Sequence, residues 1–589
     1  MKNWKKNKNR VSSAIPNYKA IDQKKKMNFF ILLIPLLLIN NTKNLTPTED
    51  ETIIMNVYYS KTSGKYTAKK SDKIDNSAIA SATYINSYET KGWDFLTISS
   101  YSLDDNKYTD ANKAYAMGYV EGIINNERIY QIYQNLLYYS FYSDGNKMPE
   151  NLRIYLEKNL EYMKQKSYEN KDKDVYWEHV YYIYQQLLGL YDGYNSACPE
   201  NKKLGFVDFQ LVVSNADMED AIMYSDKARR PNFKNMTNEE IIEFTSLHTH
   251  CSAMVKVAND FSDIWFGHNT WTAYGLMIRT FKEYKFVTNS HKEKSKVVVF
   301  SSYPGCLSSV DDFYYTDSNL VVMETTNSNL NDSLYDLLSP ETLFTWVRVI
   351  LANRLATSGE DWINIFKKEN SGTYNNQFQV LDLSKIDLNL KDIKDKAFMI
   401  IEQLPQYTES SDVTSHLRRG YWPSYNIPYI KTIYEKSGFV DAIKERPDLY
   451  YSYDYSGSDR PQIFRREQTN VNSLEDFKKM MRYNHYKEDP SSQNNAAWTI
   501  ASRYDLNTEG VGREYCYGAI DVKFISVKEL LEGKNIVHII SGPTNDDLPT
   551  FSWKNTTCYL SNPDRWFHEN VADTWDFPWI DYEVQLFDK

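Results

Sequence analysis

One cysteine stands where the character of the chain changes. In the stretch SLHTHCSAMVKV, Cys251 follows two histidines and opens an alternating apolar run. A thiol in this position can ligate a metal, form a disulfide, fill a buried space or act as a nucleophile. The run after it places Ala253, Val255 and Val257 on one side, which is typical of a strand. The elements around Cys251 therefore decide between these four roles.

The sequence after this strand predicts a hairpin. ANDFSD is turn material, and IWFGHNTW has the composition of a returning strand. With the turn centred near Phe261, the residue opposite Cys251 lies near Trp271, and His268 lies within a few residues of the thiol. A thiol beside an imidazole can act as a nucleophile with its base. Spacing alone leaves this interpretation level with a buried cysteine that has no chemical role.

A zinc site built from His248, His250 and Cys251 is disfavoured. On an extended strand the two histidines share one face and the cysteine points away from it. Zinc would also need a fourth ligand or an open position. The sequence implies no metal and no cofactor.

The cysteine count leaves a disulfide open. The chain has five cysteines and no C-x-x-C pair, so in an oxidising compartment at least one thiol stays unpaired within the chain.

The sequence lacks the common motifs of several other enzyme classes, since it has no G-x-S-x-G, no H-E-x-x-H and no P-loop. The formal net charge of -10 and the lack of a long basic stripe make nucleic acid an unexpected partner.

The N-terminal residues predict secretion. The first 26 residues hold nine Lys and Arg, and the apolar run Phe29–Ile39 that follows is shorter than the roughly 20 residues of a membrane span. We expect residues 1–42 to be a basic lead and a cleaved signal peptide, with Met27 as a possible start; a retained signal anchor is the alternative. Five N-x-S/T sequons are candidate glycosylation sites: Asn40, Asn44, Asn235, Asn331 and Asn555.

The rest of the chain supplies the elements that must position Cys251. TIIMNVYYS predicts a first strand, residues 111–194 predict helices, and the polar stretch that ends in RRPNFKNMTNEE predicts an exposed loop. Later runs such as SKVVVFSSYPG, LVVMETTN, NQFQVLDL and AFMIIEQLP predict strands, separated by helices over WTAYGLMIRTFKEY and PETLFTWVRVILANRLA. A helix-rich first half and a strand-rich second half predict one large α+β unit.

From about residue 110 to its end the chain resembles the phospholipase B-like proteins, secreted or lysosomal members of the N-terminal nucleophile hydrolases. The resemblance is carried by motifs in the family's order: CSAMVKV, WFGHNTW, SSYPGCLSSVDDFY, METTNSNLNDSLYDLLSPETLFTWVRV, NSGTYNNQFQVLDL, EQLPQY, GYWPSYNIPY, IFRRE, MMRYNHYKEDP and ISGPT. It implies a four-layer αββα sandwich with mostly antiparallel sheets.

The resemblance also implies a precursor that cuts its own backbone before the nucleophile. Here that bond joins His250 to Cys251, which divides the hydrolase domain, residues 43–589, into an associated N-terminal fragment, 43–250, and a C-terminal fragment, 251–589. The free α-amino group of the cysteine then serves as base for its own thiol. His250 is bulkier than the small residues expected before such a cut.

By the same resemblance four further residues form the site. Thr326 and Asn426 would stabilise the oxyanion, His268 would orient the nucleophile, and an arginine of IFRRE would favour the thiolate, with Arg465 preferred over Arg466. Without the family, Asn426 would be interpreted as a turn residue and His268 as a buried histidine with satisfied hydrogen bonds.

The chain departs from the family in its cysteines, because the region around AAWTIASRYDLN has none. Cys516 and Cys558 are therefore the expected disulfide pair, and the pairing of Cys198 and Cys306 is left open.

The expected function is removal of fatty acids from glycerophospholipids and lysophospholipids by a secreted or lysosomal enzyme that touches membrane surfaces transiently. An amidase of the same fold, acting on N-acyl or peptide-like amides, is one alternative. A lipid-binding protein with an inactive site is the other.

Overall fold

The computed structural model describes residues 50–100, 107–248 and 251–585. The predicted lead and signal peptide, His250 at the expected cut, and the sequons at Asn40 and Asn44 lie outside these ranges. The described residues fall in one compact unit.

The strands of the described residues fall mainly into two large sheets, and their bounds are β1 Glu51–Ser60, β2 Lys65–Ser71, β3 Ala80–Asn86, β4 Trp93–Ser100, β5 Ser252–Val257, β6 Ile264–Ala273, β7 Arg279–Lys285, β8 Val297–Ser302, β9 Phe313–Thr316, β10 Leu320–Thr326, β11 Asn376–Asp382, β12 Ile386–Asp387, β13 Asp392–Ile393, β14 Phe398–Leu404, β15 Tyr407–Asp412, β16 Tyr421–Ser424, β17 Tyr517–Ser526, β18 Ile536–Ser541, β19 Phe551–Ser552, β20 Thr574–Trp575 and β21 Ile580–Glu583.

The α-helices of the described residues are concentrated between β4 and β5, and their bounds are α1 Tyr88–Lys91, α2 Asp110–Ile124, α3 Asn126–Phe141, α4 Glu150–Asn170, α5 Val175–Ala197, α6 Phe206–Val213, α7 Met218–Ser225, α8 Asn238–Leu247, α9 Thr345–Leu355, α10 Gly359–Phe366, α11 Thr414–Leu417, α12 Lys431–Lys436, α13 Phe439–Glu445, α14 Tyr450–Tyr453, α15 Asp459–Glu467, α16 Leu474–Met481, α17 Val527–Leu531 and α18 Thr557–Ser561.

The first sheet has eleven strands among the described residues, in the order β15-β14-β11-β10-β9-β8-β7-β4-β3-β1-β2. The second sheet has the order β16-β5-β6-β17-β18-β21. Neighbouring strands are antiparallel except β4 and β7, which are parallel. The protein is therefore a mixed α and β structure with large, mostly antiparallel sheets, as the sequence predicts at this level.

The two sheets pack on each other through apolar side chains. Val255 and Phe266 of the second sheet share a buried cluster with Phe281 and Val321 of the first. The strand β10 lies against β5 and β6. Helices contact both sheets: α2 lies against β1, β3 and β4, and α16 lies against β5 and β6. This packing brings the start of β5, where Cys251 is located, close to β10.

Two predictions of elements differ from the structure. The polar stretch before Cys251 is a loop only toward its end: α6 and α7 lie within it, whereas residues 226–237 join α7 to α8 without an α-helix or strand. The helix α8 begins at a capping box in which Thr237 and Glu240 exchange hydrogen bonds. The helix predicted over WTAYGLMIRTFKEY is replaced by the end of β6 and by β7. Because β7 pairs with β4, which lies far away in sequence, tertiary pairing overrides the local apolar spacing.

The predicted disulfide is confirmed. Cys516 and Cys558 are bonded, with their Cα atoms 5.4 Å apart. Cys198, Cys251 and Cys306 are free and buried. A disulfide is thereby removed from the four roles considered for Cys251.

Candidate active site

Cys251 immediately precedes β5 and is buried. The β5–β6 ladder pairs Ser252 with Asn269 and Ala253 with His268, so its continuation places Cys251 beside Thr270, one residue from the predicted position. The backbone of Cys251 has φ 90°, in the region that side chains with a Cβ rarely adopt. Such a conformation persists only where the surrounding structure holds it, and it is frequent at functional sites.

The thiol faces two other polar groups. Its Sγ atom lies 3.9 Å from Glu324 Oε1, and Sγ, a ring nitrogen of His268 and a carboxylate oxygen of Glu324 all lie within 4.8 Å of one another. The imidazole is fully buried, and neither ring nitrogen makes a well-formed hydrogen bond with the described residues. The sequence correctly places His268 near the thiol, whereas Glu324 was not predicted.

Burial sets the protonation of this group. Desolvation, together with the Glu324 carboxyl, raises the pKa of the Cys251 thiol well above its ordinary value, while Lys523 and the Trp271 backbone N–H act in the opposite direction. Desolvation and Lys523 lower the pKa of His268 well below its ordinary value, so burial disfavours the protonated imidazole.

The surroundings of Glu324 disfavour its ionised form. Burial and the neighbouring Asp312 raise its pKa well above the ordinary value. The Tyr374 hydroxyl lies 2.8 Å from Glu324 Oε1 and also contacts the Val310 carbonyl. A single glutamate within the apolar strand LVVMETT is a signal from which the sequence could have marked this residue.

A buried network of charges lies behind the thiol. Lys523 Nζ binds Asp311 Oδ2 at 2.6 Å and Asp521 Oδ1 at 2.9 Å. Arg279 Nη2 binds the same two carboxylates at 2.7 and 2.9 Å. These two cations hold the pKa of Asp311 well below its ordinary value. Asp521 and Lys523 stand two residues apart in the buried strand β17, which was a usable sequence signal for a polar cluster.

Thr326 and Asn426 are brought together, as the family resemblance implies. Thr326 ends β10, and its Oγ1 is buried with no hydrogen-bond partner among the described residues. Asn426 Nδ2 donates to the Thr326 carbonyl at 2.6 Å. Asn426 itself has φ 71°, a conformation that asparagine tolerates better than most residues.

The arginine at the site is Arg460, which the sequence did not single out. Its Nη1 donates to the Cys251 carbonyl at 2.9 Å and its Nη2 donates to Asn426 Oδ1 at 2.7 Å. Its guanidinium lies 4.4 Å from the centre of the Trp271 ring. It thus links the candidate nucleophile to one candidate oxyanion donor.

The prediction that Arg465 lies at the site is wrong. IFRRE belongs to the helix α15, so the side-chain alternation of a strand, which would turn only one of Arg465 and Arg466 inward, does not apply. Both arginines are exposed; Arg465 donates to the Ser456 carbonyl, and Arg466 pairs with Asp489. Arg460 enters the site from the first turn of the same helix, where no periodic signal marks it.

His248 does not belong to a strand. It caps the C-terminus of α8, and its ring stacks on Phe244 at 4.0 Å and bonds the Phe244 carbonyl through Nδ1. The extended arrangement by which the sequence disfavours a zinc site therefore does not apply to His248, and His250 lies outside the described residues.

Adjoining cavities surround the thiol. One is lined by Cys251, Thr270 and Tyr374. It shares Tyr139 and Glu219 with a larger cavity of about 480 Å³. The larger cavity is also lined by two arginines, Glu219 and His248. Seven of its sixteen lining residues are aromatic: Tyr138, Tyr139, Tyr142, Phe244, Tyr515, Tyr517 and Trp566.

The sequons differ in accessibility. Asn235 and Asn555 are exposed, so their side chains can be reached. Asn331 is partly buried, and its Nδ2 donates to the Lys436 carbonyl.

Comparison with known proteins decides the family. The phospholipase B family description matches residues 80–582. The chain belongs to the phospholipase B family. It is 38% identical to phospholipase B-like protein B of Dictyostelium discoideum over 86% of each chain. It is 35% identical to phospholipase B-like 1 of Rattus norvegicus, over 86% of this chain and 88% of the relative.

A third member of the phospholipase B family, phospholipase B of Crotalus adamanteus, is 34% identical, over 86% of this chain and 89% of the relative. Membership supports a hydrolase of the phospholipase type that acts on lipid. Within the described residues no helix is long and apolar enough to cross a membrane.

Proposed function

We propose that this chain is a phospholipase B-like acyl hydrolase whose nucleophile is Cys251, exposed by self-cleavage of the His250–Cys251 bond. The observation that carries the proposal is a free, buried thiol at the start of β5, beside the neutral His268 imidazole and open to a cavity. The proposal includes a four-layer αββα sandwich, which the contacts of helices with both facing sheets support.

Self-cleavage begins with attack of the Cys251 thiol on the carbonyl carbon of His250. The S–C bond forms, the peptide C–N bond breaks, and the nitrogen leaves as the α-amino group of Cys251. Water then hydrolyses the thioester, which returns the thiol and leaves a carboxylate on residue 250. The precursor has no free α-amino group at this position, so we assign the first proton transfer to His268.

Turnover uses the same thiol with a new base. An α-amino group has a pKa of about 7.7–8.0, so it can accept the proton of the thiol at its own residue. The thiolate attacks the ester carbonyl of a lipid, the alcohol leaves with a proton, and an acyl thioester remains. Water then releases the fatty acid and restores Cys251.

The oxyanion of each step needs donors aimed at it. Thr326 Oγ1 is unpartnered, and the Asn426 amide is oriented by Arg460 through its oxygen, which directs Nδ2 toward Thr326. We assign these two side chains to the oxyanion. Arg460 takes the role expected of Arg465, because it holds both Asn426 and the Cys251 carbonyl.

A lipid substrate is supported by the aromatic cavity of about 480 Å³, which is within the size range of ligand pockets. We propose contact with membrane surfaces during turnover. The N-terminal fragment would stay associated after the cut, because its strand β4 pairs with β7 of the other fragment. Secretion or delivery to the lysosome is supported by the disulfide and by exposed sequons.

An amidase is the second candidate, because the same nucleophile and donors would serve an amide and the leaving nitrogen needs only a proton. A lipid-binding protein without turnover is the third, and it requires only the aromatic cavity.

The proposal is tested on the purified mature protein beside two variants, Cys251→Ala and Cys306→Ala, both of which remove a buried thiol. N-terminal sequencing should find a fragment that begins at Cys251 in the wild type and in Cys306→Ala, but not in Cys251→Ala. Release of fatty acid from phosphatidylcholine should fall at least 1,000-fold in Cys251→Ala only.

Three results would decide against parts of this proposal. If the active wild-type protein consists only of intact chains, self-cleavage is refuted. Faster release from an N-acyl amide than from phosphatidylcholine supports the amidase. Lipid bound without turnover, equally in all three proteins, supports the binding protein.

A further inference from the structure

The described residues contain one compact set of side chains with the chemistry of a metal site, and it includes the nucleophile. Cys251, His268 and Glu324 each offer one ligand atom, and these atoms lie within 4.8 Å of one another. All three side chains are buried. This set differs from the zinc site considered from the sequence, which comprised His248, His250 and Cys251. The two sets share only Cys251.

The distances approach those of a tetrahedral zinc site. Zinc bonds of about 2.0–2.3 Å place neighbouring ligand atoms about 3.3–3.8 Å apart. The Sγ atom of Cys251 lies 3.9 Å from Glu324 Oε1, and all three ligand atoms lie within 4.8 Å of one another, so shifts of no more than about 1 Å would bring them to these distances. A thiolate with an imidazole selects zinc over magnesium or calcium, which prefer oxygen ligands alone.

Several polar atoms of this set lack other partners, although Glu324 Oε1 accepts from the Tyr374 hydroxyl. Both ring nitrogens of His268 and the Oε2 atom of Glu324 are buried without a well-formed hydrogen bond to the described residues. Buried polar groups are nearly always paired, since an unpaired one costs about 1–3 kcal/mol. A cation between the three side chains would satisfy the imidazole and the carboxylate together.

Carboxylates dominate the immediate surroundings. Glu324 lies near Asp311 and Asp312, whereas Lys523 and Arg279 are already paired with Asp311 and Asp521. A divalent cation would add positive charge where those two side chains leave carboxyl groups unmatched. The cavity that Cys251 lines gives a route of entry.

We propose that Cys251, His268 and Glu324 form an inhibitory Zn²⁺ site with one open coordination position. The bound ion occupies the sulfur lone pair with which the thiolate would attack an acyl carbonyl, so the zinc-loaded enzyme is inactive and removal of the ion restores it. The site itself stands on the geometry; its inhibitory effect rests on the function proposed above.

The binding test uses Co²⁺ as the probe on mature protein that has been freed of metal with a chelator. A cobalt–thiolate bond gives a charge-transfer absorption in the near ultraviolet, and Zn²⁺ should abolish it by competition. We expect one equivalent of Co²⁺ per chain. The band should be absent in Cys251→Ala, and the affinity should fall at least tenfold in His268→Gln and in Glu324→Gln.

The matched control is Cys306→Ala, whose thiol is also buried but contacts the Val212 carbonyl, and it should bind cobalt like the wild type. A band that survives in Cys251→Ala, or affinities unchanged in both His268→Gln and Glu324→Gln, would overturn the site.

Inhibition is measured separately, as fatty-acid release with added Zn²⁺ and after chelation. Zinc that binds at Cys251 without changing hydrolysis would refute the inhibitory role. If the protein hydrolyses no lipid but still shows the cobalt band, the proposed function is refuted, whereas the proposed metal site is supported.

Discussion

Cys251 and Cys306 are both buried free thiols in strand-rich surroundings, and each lies near a buried lysine. Burial raises the pKa of both, to about 12 for Cys306. At this level the two regions are alike. Neither burial nor a raised pKa separates a reactive cysteine from one that only fills space.

The difference lies in how the surrounding polar groups are used. Beside Cys306, Lys282 Nζ binds Glu121 and the Cys306 carbonyl, both at 2.7 Å, and the thiol contacts the Val212 carbonyl at 3.1 Å. Beside Cys251, His268, Thr326 and Glu324 each keep a buried atom without a partner, and the thiol lines a cavity. Unused donors and acceptors around a thiol that lines a cavity are what support chemistry here.

The strongest test of this contrast compares two buried histidines. His268 and His179 are both neutral, with lowered pKa values, and neither makes a well-formed hydrogen bond to the described residues. Only His268 lies beside a free thiol. In His268→Gln we expect self-cleavage to slow about 10²–10⁴-fold through loss of the base, followed as disappearance of the intact chain on a denaturing gel. Equal rates in His268→Gln and His179→Gln would break the comparison.

The next test compares two buried lysines. Lys523→Met and Lys282→Met each remove a cation from a buried ion pair, so both should be destabilised by about 3–5 kcal/mol. Only Lys523 lowers the pKa of the Cys251 thiol. Lys523→Met should therefore move the alkylation of Cys251 by iodoacetamide to higher pH, measured on its peptide by mass spectrometry. The same displacement in Lys282→Met would show that the charge of Lys523 has no particular role.

The smallest expected effect concerns the loop that carries Asn426. The buried Glu402 accepts hydrogen bonds from the backbone N–H groups of Tyr429 and Ile430, and burial raises its pKa to about 7. A folded-state pKa above the unfolded value, about 4.3, means that the folded chain keeps the proton longer. This contribution to stability is complete below pH 4.3 and is lost as the pH rises through about 7.

Glu402→Gln should flatten the fall in the free energy of unfolding between pH 5 and 8, by roughly 1–3 kcal/mol. Denaturant titrations at each pH measure this change. Glu409→Gln is the control, since Glu409 lies in the neighbouring strand β15 and its side chain is partly exposed. An equally steep slope in wild type and Glu402→Gln would contradict the role of Glu402.

Local sequence was enough for the parts of the site that are close along the chain. The alternation after Cys251 predicts β5, and the turn after it predicts the return of β6 with His268 near the thiol. These predictions hold because side-chain alternation and turn chemistry act over a few residues. Thr326 and Asn426 came from ordered family motifs, and the structure brings them into contact.

Tertiary packing decided the rest. Glu324, Lys523 and Arg460 reach the surroundings of Cys251 from β10, β17 and the start of α15. These residues lie 73, 272 and 209 positions further along the chain. Arg465 was preferred over Arg466 within IFRRE, yet the segment is helical, both of these arginines are exposed, and Arg460 makes the contact with the site. Periodicity shows which face of a helix or strand is apolar. It does not show which other helix or strand packs against that face, because this depends on how the two sheets of the whole chain pack together.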